Sequence, residues 1–195
     1  MPTDAGEGQT YCGAVVYPTV DSVDVSTVVY VSPEEVYEFL MDFPGYARYS
    51  KYLTDVEQRG DGSPGTKYAL RFAWWKLSYT ARSEVVAVDR PAQIDWKITK
   101  DLQARGHWRI TERPEERPED EDHATEVRLT VDFDPGTASS DALDLPSLVS
   151  MDWVIDKVKP LIQEEAERVV ERIVADLEGG RRDVELTIHT RPDAV

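Results

Sequence analysis

The side chains able to do chemistry are few and scattered. His107, His123 and His189 stand far apart, without the close spacing that brings paired histidines to one metal. Cys12 is the only cysteine, which rules out an intrachain disulfide and a cysteine zinc cluster. No glycine loop precedes a helix as phosphate binding requires, and no nucleophile elbow is present. The glycines from Gly60 to Gly65 precede a strand and read as a turn. With 38 acidic residues, no carboxylate pair stands out as an acid and base. Catalytic residues therefore stay unknown, and neither a metal nor a cofactor is expected. If a reaction occurs, Tyr79, His107 and Arg109 are the candidate proton-transfer or oxyanion groups.

The stronger signal is aromatic. In the strand-like stretches Tyr68, Phe72, Trp74, Tyr79, Trp96 and Trp108 fall on positions expected to share one concave surface, with Trp153 approaching from a helix. Large rings with polar handles suit an apolar pocket holding a few oriented hydrogen bonds. They equally suit a filled core, and the residues alone leave both readings open.

The elements that must position these rings are well punctuated. Val23 to Val31 alternates as a first strand, with Tyr11 to Tyr17 a candidate edge strand before it. A helix follows: Ser32 caps it, Pro33 takes its first position, Glu35 completes a capping box, and Val31 with Val36 forms a hydrophobic staple. Pro44 and Gly45 end it, and a second helical turn through Tyr46, Tyr49 and Tyr52 is expected. Strands are then expected at Val56 to Arg59, Thr66 to Trp74, Leu77 to Asp89, Ile94 to Ile98, around Trp108 and Ile110, and from Val127 to Phe133. Their short connections require antiparallel pairing. The charged stretch Glu112 to His123 reads as a solvated hairpin loop rather than a docking site.

From Leu148 to Leu177 apolar residues recur at helical spacing, a segment of roughly 45 Å. Pro160 should kink it by removing one backbone bond and clashing with the carbonyl of Asp156. Gly179 and Gly180 end it, and Val184, Leu186 and Ile188 alternate as a short last strand.

At 195 residues with 41% hydrophobic content, the chain can build one sizeable core. Its net charge of −16 disfavours nucleic acid and anionic lipid surfaces as partners. Fifteen of the 22 basic residues are arginine, and the acidic residues spread along the whole chain. Adaptation to high salt is favoured over an ordinary acidic protein. No apolar run reaches the roughly 18 residues of a membrane span, and residues 1–9 lack the regions of a secretory signal, so a cytoplasmic location is expected.

The order β-α-α-β(several)-α, with PGYARYSKYL after the capped helix, resembles the START-like or SRPBCC superfamily. VKPLIQEEAERVVERIV, with Pro160, is similar to the C-terminal helix of its polyketide cyclase/dehydrase and coenzyme Q-binding (Coq10-like) branch. RFAWWKLSYTARSEV looks like forms from salt-loving archaea. The resemblance covers roughly Val23 to Leu177 and implies an α+β helix-grip fold, in which a curved antiparallel sheet wraps a long C-terminal helix, with two short helices after the first strand. It also implies a cavity for lipids, quinones or polyketides. Residues 1–19 would form an N-terminal extension, 20–178 the helix-grip domain and 179–195 a C-terminal extension with a short strand. The expected function is binding or carrying a hydrophobic small molecule. A cyclase or dehydratase acting in the same cavity is the alternative, and a cavity-less interaction scaffold the third reading.

Overall fold

The computed structural model of the protein describes residues 21–74, 77–137 and 165–191, with the backbone alone for Trp74, Leu77 and Pro135. Among the described residues, eight antiparallel strands form one sheet in the order β2-β3-β4-β5-β6-β7-β1-β8. They are β1 (Asp21–Val29), β2 (Leu53–Arg59), β3 (Lys67–Trp74), β4 (Leu77–Asp89), β5 (Gln93–Ile98), β6 (Gln103–Glu112), β7 (Thr125–Asp134) and β8 (Thr187–Thr190). Consecutive strands from β2 to β7 are neighbours, as short hairpin connections dictate. The first strand closes the series against β7, pairing Asp21 with Phe133 and Val29 with Thr125.

Helix α1 (Pro33–Met41) starts as its sequence dictates. The Ser32 hydroxyl accepts the Glu35 N–H, and the Glu35 carboxylate accepts the Ser32 N–H at 3.0 Å. Val31 and Val36 are both buried in one cluster, the staple in place. The expected second helical turn is a 3-10 helix over Phe43–Arg48, so Pro44 sits inside its first turn rather than after the end of α1. Its aromatics make a joint: Phe43 packs on Tyr68 with ring centroids 4.5 Å apart, Tyr46 stacks on Phe39, and the Tyr46 hydroxyl donates to the Leu40 carbonyl at 2.8 Å.

The C-terminal helix, α2, is described over residues 165–177. Its buried Val174 joins Val29, Val36, Leu40, Ile94 and Ile110 in the main core, with Val170 and Leu177 beside them. Glu165, only 5% exposed, anchors the first described turn by accepting the Lys51 N–H at 3.2 Å. The expected kink at Pro160, the ring of Trp153 and the candidate strand at Tyr11 to Tyr17 all lie outside the described residues.

Gly179 takes a φ of +69°, the left-handed conformation that ends helices. Past it, Arg182 fixes the return of the chain: it donates to the Glu178 carboxylate and to the Val28 carbonyl, and lies 4.1 Å over the Tyr30 ring. The last strand is shifted from its expected span. Val184 packs against the main core and the Glu185 carbonyl accepts the Thr27 hydroxyl, so pairing with β1 begins only at Thr187.

Candidate functional site

Cross-strand register decides which side chains share a face, because directly opposed residues point the same way. Buried Ile94 opposes Trp108, and Trp108 opposes Leu129. Val85, 1% exposed, opposes Trp96. Tyr68 opposes Ser83, and Phe72 opposes Tyr79. These residues lie on the inner face, the one covered by α1 and α2.

The inner face has two parts. Near the helices it is packed: Tyr68 is 3% exposed beneath Phe43, in a second cluster with Leu53, Val56 and Val85, and Trp108 packs against the main core. Farther along the strands it stays apolar but open. Phe72 is 36% exposed, and Tyr79, Trp96, Ile98, Leu129, Val131 and Phe133 are part-buried. Tyr68 is therefore a core residue, while Phe72, Tyr79 and Trp96 belong to the open part. The backbone of Trp74 stands opposite Leu77 at the end of the β3–β4 pair.

Trp96 owes its position to Gly106, a feature the aromatic pattern alone did not flag. A Cβ at position 106 would lie 2.9 Å from Cε2 of the Trp96 ring, closer still to its Cζ2, and 2.7 Å from the Thr130 carbonyl oxygen. The indole occupies the space beside β6 where a side chain at position 106 would stand. A glycine within an otherwise regular strand was the available signal for such a close approach.

The three proton-transfer candidates separate. Tyr79 is on the inner face, part-buried, and desolvation with a smaller contribution from Asp101 raises its hydroxyl above the usual tyrosine range. It would therefore stay protonated and donate rather than accept a proton at neutral pH. His107 and Arg109 alternate with Trp108 and lie on the outer face, His107 opposite Asp95 and Arg109 exposed opposite Gln93 and Arg128. The expectation that either could serve an inner cavity is corrected by strand alternation: neighbours of an inward Trp108 must point outward. That outer face carries ladders of opposite charge instead, such as Arg128 with Asp24 at 2.7 Å and Lys97 with Glu84 at 3.5 Å.

Among the described residues no group of histidines, cysteines or carboxylates is arranged to hold a metal ion, and no helix is long and apolar enough to cross a membrane. A sheet with α1 and a C-terminal helix on one face, apolar beyond its packed core, is the arrangement that the family comparison addresses. The family model described as "Polyketide cyclase / dehydrase and lipid transport" matches residues 21–174. The chain belongs to this family. Its fold is the helix grip: the aromatase/cyclase Zhui from Streptomyces sp. R1128 superposes with a TM-score of 0.57 at 18% identity, over 82% of this chain and 94% of that one. Ara h 8.0201 gives a TM-score of 0.53 at 14% identity, over 83% and 99%. No curated protein matches the sequence. The family's match ends at Val174, so the Arg182 anchor and β8 lie beyond it.

Proposed function

We propose that this member of the polyketide cyclase/dehydrase and lipid transport family binds and carries a hydrophobic small molecule against the open part of its inner face. The observation that carries this reading is the continuation of apolar side chains, Phe72, Tyr79, Trp96, Leu129 and Val131, beyond the core that α1 and residues 165–177 of α2 pack. Trp74 and Trp153 are assigned to the same lining on sequence. A mostly apolar wall with isolated hydroxyls suits a lipid, an isoprenoid quinone or a polyketide. PGYARYSKYL after α1, and VKPLIQEEAERVVERIV with its internal Pro160, favour the quinone-binding branch.

Quinones quench indole fluorescence, so a short-chain menaquinone titrated into the full chain should quench saturably, and native mass spectrometry should show a one-to-one complex. Neither saturable quenching nor retention of the quinone or of a long-chain fatty acid would sink the carrier reading. A cyclase or dehydratase is the second reading, supported by the Tyr79 hydroxyl, a donor on the more exposed part of the inner face. Turnover lost in Tyr79→Phe with quenching retained would favour it.

The net charge of −16 supports a salt-rich cytoplasm as the working environment. The unfolding midpoint should rise between about 0.1 M and about 2 M KCl, since screening removes self-repulsion. An unchanged midpoint would remove the halophilic part of the proposal.

A further inference from the structure

Away from the inner face the molecule holds a recess lined mostly by charged side chains. A groove of about 880 Å³ runs between the end of the 3-10 helix, one side of α2 and the turn that follows it. Five arginines line it, Arg48, Arg168, Arg172, Arg181 and Arg182, against three carboxylates, Glu171, Asp176 and Asp183. One third of the chain's fifteen arginines thus meet at one place on a protein of charge −16, with Glu165 and Glu178 just outside the lining pairing Arg172 and Arg182.

The carboxylates do not engage the arginines evenly. Asp176 is already engaged: the Tyr49 hydroxyl donates to it, and Arg48 lies 3.4 Å from it. Several guanidinium groups are held in place by contacts that leave donors over. Arg48 lies 4.8 Å over the Tyr49 ring, and Arg172 is tethered through one nitrogen, Nη1, to the Tyr49 carbonyl and to Glu165. Arg182 is fixed by Glu178, Val28 and Tyr30 and serves as a rigid wall. Arg181 is exposed and makes no ion pair or hydrogen bond among the described residues.

We propose that this groove binds a polyvalent oxyanion of the phosphate class, of pyrophosphate size or larger. Guanidinium forks match phosphate oxygens two at a time, and their weak hydration makes partial burial tolerable where lysine would lose more. The volume exceeds what one orthophosphate fills and falls in the range of small-molecule sites, about 300–1,000 Å³. The long-range field of the protein repels anions. Binding must therefore come from contacts shorter than the Debye length of about 10 Å, which selects a compact, highly charged ligand over an extended anionic surface.

The test is calorimetric titration of the full chain with sodium pyrophosphate at constant ionic strength, with chloride and orthophosphate as comparisons. One saturable site is expected, with orthophosphate weaker. Arg181→Ala, which breaks no described contact, should weaken it about tenfold, the loss of one charge-assisted interaction. Arg168→Ala gives a second reading of the same wall. Arg82→Ala on the outer face should change nothing. Absence of heat with pyrophosphate, or equal loss with Arg82→Ala, overturns the site as ordinary charge screening. Sedimentation with phosphatidic acid vesicles, but not phosphatidylcholine, in the absence of pyrophosphate binding overturns the soluble ligand in favour of a lipid headgroup. Menaquinone quenching should be untouched by Arg181→Ala, so this site and the apolar face stand or fall separately.

Discussion

Ile94 and Phe72 lie on the same face of the same sheet and meet different fates. Ile94 is 0% exposed between α1, α2 and β6, while Phe72 is 36% exposed opposite Tyr79. Alternation along a strand fixes which way a side chain points, but the elements packed above it fix what it meets. The packed part of the inner face accounts for stability, and the more exposed part is where the proposed ligand would sit.

The sharpest way to break this contrast is Ile94→Ala. Truncation at a fully buried position leaves a cavity, and we expect a loss of about 3 kcal/mol in urea unfolding, with menaquinone quenching intact in the folded fraction. A loss below about 1 kcal/mol would mean the packed region is no better packed than the open one. Gly106→Ala comes next. The added methyl must displace Trp96, so about 1–3 kcal/mol should be lost, with a shift in indole emission and weaker quenching. Unchanged emission would show that the ring is not held on β6.

A smaller effect is expected on the outer face. Arg128 hydrogen-bonds Asp24 and holds its carboxyl below the usual aspartate range, against desolvation. A depressed folded-state pKa stabilises the fold above the unfolded value, near 3.8, and this contribution is lost as pH falls through the lower folded one. Asp24→Asn should cost about 1 kcal/mol at neutral pH, discounted for the partial exposure of Arg128. Its difference from the parent should vanish toward strongly acidic pH in acid-unfolding curves. A constant difference across that range would assign the effect to packing. Least of all, Phe72→Ala should alter stability by under about 0.5 kcal/mol, as for a surface site, yet weaken quinone binding severalfold in fluorescence titration. The reverse pattern would move Phe72 into the core and erase the contrast.

Much of the fold was legible because its signals are local. Ser32, Pro33 and Glu35 set the start of α1 within four consecutive residues, and the alternation in β3 and β4 placed their rings on one face. What was not legible depends on meetings between distant segments. Tyr68 and Phe72 have the same pattern, and only Phe43, arriving from the 3-10 helix, buries one of them. His107 and Arg109 were candidates by residue type alone; register with Asp95 and Gln93, on either side of the inward Ile94–Trp108 pair, sends them outward. The arginine groove joins residue 48 to residues 168–183, and composition reported the arginines without their convergence. The end of β8 slipped because Val184 was drawn into the core before the strand could begin.

The position of β1 bears on how the chain is completed during synthesis. Its two neighbours, β7 and β8, lie far along the sequence: Ser26 reaches His189 across 163 residues. A ribosome delivers β2 to β6 as successive hairpins that can pair as they emerge, but β1 must wait with both edges unmatched. Synthesis therefore leaves the first-made strand as the last to be enclosed. During that wait Val23, Val25 and Val29 form the segment most open to pairing with another chain, and slower translation of residues 30–124 should lengthen that exposure.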